Sequence, residues 1–140
     1  MSCLLGDIVD FMHNWAPVGS AQSYDNVGLQ IGRRSQEVSN ALVALDLTPQ
    51  IIQEAKGLGV ELIVTHHPLF FKALSSLTDK TLESSMALEM AENRIALFSA
   101  HTNLDAARGG VSFELARTLG LTNIQFLSGL EESLLKLVVF

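Results

Sequence analysis

The sequence predicts an α/β protein whose mostly parallel sheet carries helices on its faces. Three observations favour this class. Between residues 40 and 120, apolar runs of strand length alternate with segments of helical periodicity. The runs are continuously apolar, which is typical of strands buried on both faces, and the chain is 48% hydrophobic but only 17% charged. The strand–helix–strand succession implies parallel strands joined by right-handed crossovers.

The elements follow one another in a regular order after an irregular start. Apolar residues at helical spacing predict a first helix over residues 2–14, with Ser2 as its cap. A turn-rich loop then leads to a short strand at 27–32 that Gly32 closes. Strands are predicted at 40–48, 60–67 and 94–102, and helices at 49–59, 78–93 and 109–120.

Two helices have further sequence signals. Pro49 is expected at the first position of the second helix, because its missing N–H is not needed there. Leu82, Met86 and Met90 recur at helical spacing in the third helix, so we expect them to share one core-facing side.

The final residues, "LLKLVVF" at 134–140, predict another apolar strand. An apolar strand at the last position leads us to expect the N-terminal part of a longer protein, one half of a larger two-part α/β protein. We accordingly predict an N-terminal metal-site domain over residues 1–125, with residues 126–140 beginning a following segment.

Composition excludes several classes of protein. The net charge is −6, from 9 basic and 15 acidic residues, so no nucleic-acid partner is expected. The single cysteine excludes an internal disulfide. No apolar run approaches the roughly 18–20 residues of a membrane span, and the N-terminus lacks the basic region of a signal peptide. We therefore expect a cytoplasmic protein.

Potential metal ligands follow each of the three predicted parallel strands. Asp46 ends the first strand, His66 and His67 end the second, and His101 ends the third, with Asp105 four residues later. The carboxyl ends of parallel strands meet at one edge of a sheet, where ligands of such folds bind. Imidazole and carboxylate together suit zinc, manganese, iron or nickel.

The same residues have structural interpretations. Neighbours on a strand point to opposite faces, so His66 and His67 are alternatively one core and one loop histidine. Asp105 is alternatively the cap of the helix near Gly110, or an acceptor for His101.

Asp46 also leaves two interpretations open. It forms a hydrogen bond to a metal-binding histidine without binding the metal itself, or it caps the helix that begins at Pro49. The remaining histidine, His13, lies in the amphipathic first helix and is expected to be structural or exposed.

Three motifs carry a resemblance to a known family. They are "YDNVGLQIG" (24–32), "LIVTHHPLFF" (62–71) and "SAHTNLDAARGGVSFELARTLGL" (99–121). In order and spacing they resemble the Nif-three-like dinuclear metal protein family, also labelled type 2 GTP cyclohydrolase I. The resemblance covers residues 4–121.

The resemblance implies a ring-shaped homohexamer with a centre of two divalent transition-metal ions. His66, His67, His101 and Asp105 match the N-terminal ligands of the family. Asp25 matches the acidic residue of its DNVGL element and is expected beside the site, as is Asp46. The remaining family ligands, a histidine and a glutamate, are implied in a C-terminal segment.

Three functions are therefore expected as alternatives. The first is a metal-dependent hydrolase acting on a nucleotide or another phosphate-bearing small molecule. The second is a non-catalytic regulatory or scaffold protein that binds metal and a protein partner, since the family is described as interacting with transcription factors. The third is a fragment with an incomplete, non-functional site.

Overall fold

The computed structural model describes residues 2–126. Within that range the chain forms six strands, five α-helices and one short 3-10 helix at Val18–Ser20. The strands are β1 (Cys3–Leu4), β2 (Gly28–Ile31), β3 (Glu37–Val38), β4 (Ala41–Ala44), β5 (Leu62–Thr65) and β6 (Ala96–Ser99). The helices are α1 (Leu5–Trp15), α2 (Pro49–Leu58), α3 (Leu82–Glu92), α4 (Thr102–Ala106) and α5 (Val111–Thr118).

The main sheet has the strand order β2-β6-β5-β4. Strands β4, β5 and β6 run parallel, which confirms the mostly parallel sheet, whereas β2 runs antiparallel to β6. The rule for right-handed crossovers applies to parallel strands joined by a crossover connection. No single helix joins β2 to β6, so the rule does not determine the direction of β2. A small second ladder, which the sequence did not indicate, pairs β1 with β3.

Helices cover both faces of the sheet. Alternate residues of β5 and β6 point to opposite faces, so Ile63 packs under α2 and α3 while Leu62 packs under α1. One cluster contains Ile52, Ala55, Val60, Ile63, Met86, Met90, Ile95 and Leu97. The other contains Leu5, Val9, Val38, Leu62, Ala96, Phe98 and Ala100.

The ends of α2 follow the sequence signals closely. The Thr48 hydroxyl accepts from the N–H of Ile51, Pro49 occupies the first position, and Gly59 ends the helix in the left-handed conformation at φ 64°. The predicted start at Pro49 is confirmed.

Two details of the helix predictions are wrong. Leu4, not Ser2, precedes α1, because pairing of β1 with β3 holds Cys3 and Leu4 in an extended conformation. Leu82 is 61% exposed, although Met86 and Met90 are buried as expected. Leu82 is the first residue of α3, and the contacts of that helix with the core begin one turn later.

The predicted strand at 134–140 lies outside the described residues. The division of the chain at residue 125 therefore stays a prediction. In residues 2–126, no helix combines the length and the apolar character that crossing a membrane requires.

Candidate metal centre

The register of the parallel strands brings their carboxyl ends to one level. Ala44 pairs with Thr65, and Thr65 pairs with Ser99. The residues that directly follow these three therefore leave the sheet at the same edge, where ligands bind in parallel α/β folds.

Three histidines converge at this edge. One ring nitrogen from each of His66, His67 and His101 lies within 4.8 Å of the others. The ring centroids are 5.1 Å apart for His66–His67, 5.1 Å for His66–His101 and 5.4 Å for His67–His101. The adjacent pair converges because the strand ends at Thr65, whose hydroxyl donates to the carbonyl of His67 at 2.8 Å and turns the chain.

The Nδ1 atoms of the adjacent pair are bound by acceptors. His66 Nδ1 lies 2.8 Å from the carbonyl oxygen of Ala100, and His67 Nδ1 lies 2.6 Å from Oδ1 of Asp46. A carbonyl or ionised carboxylate oxygen only accepts, so each Nδ1 carries the proton and each neutral ring keeps a lone pair on Nε2. Nε2 is then the atom available to a metal ion.

His101 is held by a buried carboxylate. Its Nδ1 lies 3.0 and 3.1 Å from the two oxygens of Asp25, whose side chain is fully buried. Asp25 also accepts from the N–H and the hydroxyl of Thr102 and from the N–H of Asn26. Burial by itself raises the pKa of Asp25, but the hydrogen bonds from Thr102, His101 and Asn26 outweigh it and lower the pKa. Asp25 is thus an ionised acceptor that also leaves Nε2 of His101 free.

Asp46 contacts a histidine and does not cap a helix. Its carboxylate is 55% exposed and lies on His67, while the Thr48 side chain caps α2. The interpretation of Asp46 as a helix cap is therefore wrong.

Asp105 also faces a histidine. It lies in α4, and its Oδ1 is 3.5 Å from Nε2 of His66, not beside the ring of His101. Gly110 precedes α5, and no side chain of the described residues caps that helix. Capping by Asp105 is therefore wrong, and its role as a metal ligand stays a prediction because the cluster of mutually close ligand atoms contains only the three histidines.

Close backbone packing fixes α4 against α5. A Cβ atom on Gly110 would lie 1.8 Å from the carbonyl oxygen of Leu104, so this position admits only glycine. The contact sets where α4 lies, and with it the approach of Asp105 to His66.

Gln30 and Asn26 hold the site together, although no role was predicted for either from the sequence. Oε1 of Gln30 accepts from the N–H groups of Leu69 and Phe70 at 2.9 and 3.2 Å. Its Nε2 donates to the carbonyl of Asn26 at 2.8 Å, and the Asn26 amide donates to the carbonyl of Phe70 at 2.6 Å. These bonds join the loop that carries Asp25 to the turn after the histidine pair. The one signal was a polar residue inside the apolar run "VGLQIG".

His13 lies apart from the cluster, as expected. It is partly buried on α1, with its ring centroid 5.7 Å from that of Phe98. Its Nε2 is buried without a hydrogen-bond partner among the described residues, and it lies 3.2 Å from where a Cβ on Gly28 would stand. His13 therefore packs against the sheet and has a structural role.

The fold and the site together define an α/β protein with a histidine cluster at the carboxyl ends of its parallel strands, able to hold a transition-metal ion. The chain belongs to the Duf34/NIF3 (NGG1p interacting factor 3) family, whose pattern it matches over residues 3–139. The resemblance seen in the sequence motifs is thereby confirmed.

Relatives of known name are consistent with this assignment. The chain is 43% identical over 116 residues to a protein of Clostridium perfringens named GTP cyclohydrolase 1 type 2 homolog, covering 83% of this chain and 44% of the relative. A Lactococcus lactis protein of the same name is 40% identical over 123 residues, covering 86% and 48%. The chain thus spans less than half the length of these relatives.

Solved structures share the fold. A Bacillus cereus protein related to NIF3 superimposes with a TM-score of 0.82 at 36% identity, covering 90% of this chain and 35% of that one. Reduced HcgD from Methanocaldococcus jannaschii gives a TM-score of 0.82 at 32% identity, covering 93% and 52%.

Proposed function

We propose that this chain binds divalent transition-metal ions through Nε2 of His66, His67 and His101, with Asp105 as a further ligand. The observation that carries the proposal is the set of three Nδ1 contacts, which orients all three rings and leaves every Nε2 free. A histidine ligand is held in this way in most protein metal sites. Three imidazoles and a carboxylate fit zinc, manganese, iron or nickel.

We propose further that the centre holds two ions. Asp105 supports it, because a carboxylate can bridge two ions and this one lies beside His66 Nε2. Asp105 is also 38% exposed, so its second oxygen is open to a further partner. The zinc, manganese, iron or nickel content of a purified sample, counted per chain, distinguishes one ion from two.

The activity we propose is metal-dependent hydrolysis of a nucleotide or other phosphoester. Bound divalent ions supply the Lewis acidity that such a reaction uses. The name of the relatives points to a nucleotide. The chain carries a net charge of −6, so attraction of a phosphate-bearing substrate to the histidine edge depends on the bound ions. Asp25 orients the ring of His101 there, Asp46 orients that of His67, and the carbonyl of Ala100 orients that of His66.

Metal content and turnover test the proposal together. We expect purified protein to retain transition metal and, after loading with zinc or manganese, to hydrolyse at least one compound in a panel of nucleotides and phosphoesters. His66→Ala combined with His101→Ala is expected to abolish both. Metal-free protein whose melting is unaffected by added ions would contradict the metal site. Bound metal without turnover of any compound would contradict the hydrolase alone.

A non-catalytic metal-binding protein is the second candidate, and one observation favours it. The two hydroxyl groups beside the histidines are already engaged, since Thr65 donates to the carbonyl of His67 and Thr102 donates to Asp25. Each hydroxyl thus has a structural role at the site, and Thr65 is also buried. A metal-loaded protein that lacks turnover but captures a protein partner only when metal is bound would support this candidate.

The proposed assembly is a homohexamer, on the basis of family membership. Exposed apolar side chains support association, among them Phe11 at 65%, Val43 at 77% and Leu115 at 59%. Light scattering of the purified chain tests this state, and a monomer at all concentrations would contradict it. Tight metal binding by this chain would likewise argue against an incomplete, non-functional site.

A further inference from the structure

A cavity lies at the end of the sheet opposite to the histidine cluster. It has a volume of about 730 Å³, within the range of small-molecule sites. Ile31, Ala91 and Ile95 supply apolar walls, and Arg33 and Arg94 line the same space. Ile95 immediately precedes β6, so the cavity is at the amino ends of the strands whose carboxyl ends carry the histidines.

Neither arginine of the cavity has an acidic partner in the described part of the chain. Arg34, their neighbour, forms an ion pair with Asp10, but no carboxylate among residues 2–126 comes within salt-bridge distance of Arg33 or Arg94. Glu61, which lines an adjoining cavity together with Arg94, accepts instead from the N–H groups of Ser39 and Asn40. Two exposed arginines without an acidic partner therefore line one partly apolar cavity.

Gln36 fixes the two arginine-bearing turns relative to each other. Its N–H donates to the carbonyl of Arg33 at 2.8 Å, and its side-chain Nε2 donates to the carbonyl of Arg94 at 2.8 Å. Gln36 also lines the cavity. The backbones that present the guanidinium groups are thus held in place before any ligand binds.

Arg94 occupies a position where glycine is favoured. It follows the C-cap residue of α3 in the left-handed conformation at φ 57°, and Ile95 N–H closes the turn on the carbonyl of Met90 at 2.9 Å. Helix α2 ends in the same conformation with Gly59. A side chain at such a position is disfavoured by its Cβ, so the arginine is kept at a cost to stability, which points to a use for its side chain.

We propose that this cavity binds a small organic anion of the monophosphate-ester class. Arg33 and Arg94 hold the anionic group by charge-assisted hydrogen bonds. The apolar side chains of Ile31 and Ala91 contact the organic portion. The site is distinct from the histidine cluster, and it stands whether or not the proposed hydrolase activity does.

Titration of the full chain with adenosine monophosphate, followed by two-dimensional ¹⁵N–¹H NMR, tests the site. We expect the amide signals of Arg33, Gln36 and Ile95 to shift with saturation. Adenosine and inorganic phosphate are the matched probes, and each is expected to bind about tenfold or more weakly. Shifts confined to residues around His66 and His101 would overturn the proposal, and phosphate binding as tightly as the ester would overturn its apolar part.

Arg94→Gly separates the ligand role from a structural role, because the two predict opposite signs. We expect the melting temperature to rise by about 3 °C, since the strain at φ 57° is relieved. The same variant should bind adenosine monophosphate at least about tenfold more weakly. Arg33→Gln should also weaken binding, and Arg117→Gln, on the exposed side of α5, should not. Unchanged affinity in Arg94→Gly would overturn the proposal.

Discussion

At the carboxyl ends of the parallel strands, His66, His67 and His101 each have an acceptor on Nδ1. At the amino ends, Arg33 and Arg94 line a cavity without an acidic partner among the described residues. The difference follows from the chemistry of the side chains. A neutral histidine needs a partner to fix its tautomer before it can bind a cation, whereas a guanidinium is charged at every physiological pH and needs none.

Removing a direct ligand should give the largest change at the carboxyl end. We expect His66→Ala to weaken zinc affinity by more than the about 10–100-fold that loss of an outer partner costs, because no other nitrogen can take its place. Competition with a chromophoric chelator measures the affinity. His13→Gln is the matched control, since His13 lies apart from the cluster. Equal losses in the two variants would show that zinc affinity does not depend on the histidine cluster.

The two acidic partners should differ in their effect. Asp25 is fully buried and Asp46 is 55% exposed, although each bonds to one histidine Nδ1. We expect Asp25→Asn to lower zinc affinity about 10–100-fold, because the buried amide cannot replace the charge. Asp46→Asn should lower it less, because water can take over as an acceptor. A larger loss in Asp46→Asn than in Asp25→Asn would show that burial of the partner is not what matters.

Substitution of Gln30 should have a smaller effect on metal affinity, because Gln30 only positions the loops that carry the histidines and Asp25. Gln30→Met removes all three of its hydrogen bonds, whereas Gln30→Glu keeps the acceptor for Leu69 and Phe70. We expect affinity for cobalt to fall about threefold to tenfold in Gln30→Met, with an altered d–d absorption spectrum. Gln30→Glu should preserve most of the spectrum. Identical spectra in wild type and Gln30→Met would assign Gln30 a purely structural role.

The smallest expected effect is that of Asp25→Asn on the melting temperature at low pH. The folded-state pKa of Asp25 is lower than the ordinary value of 3.8, so its contribution to the free energy of unfolding is complete above that pH and is lost as the pH falls through the lowered pKa. We expect Asp25→Asn to flatten this part of the curve of melting temperature against pH in metal-free protein. The curve of Asp46→Asn is the comparison, and an equally steep fall in Asp25→Asn would assign the acid sensitivity to other groups.

Local signals predicted much of the fold. Apolar runs located β4, β5 and β6, and Pro49 located the start of α2. The antiparallel direction of β2 could not be predicted from the sequence. Its partner β6 is far along the chain, and the direction of a strand does not change the spacing of its apolar residues. Helix α4 could be neither predicted nor excluded, since five residues are too few to show a helical period.

The site was also predictable only in part, because some of its contacts join residues that are far apart in the sequence. Strand ends pointed to His66, His67 and His101, which the structure brings together. Asp25 entered only through the family resemblance, because it meets His101 from 76 positions away. The signal for Gln30 was only a polar residue inside an apolar run, since its bonds are to backbone groups that every residue offers.

The aligned ladder of the three parallel strands has a consequence for how such a chain tolerates changes in length. Adding one residue inside Leu62–Thr65 would turn every later side chain of that strand to the other face, and the histidine pair would leave the cluster. Additions in the exposed stretch at 72–77 would leave the ladder untouched. The site therefore depends on the number of residues within these strands, while the exposed stretch at 72–77 can change in length.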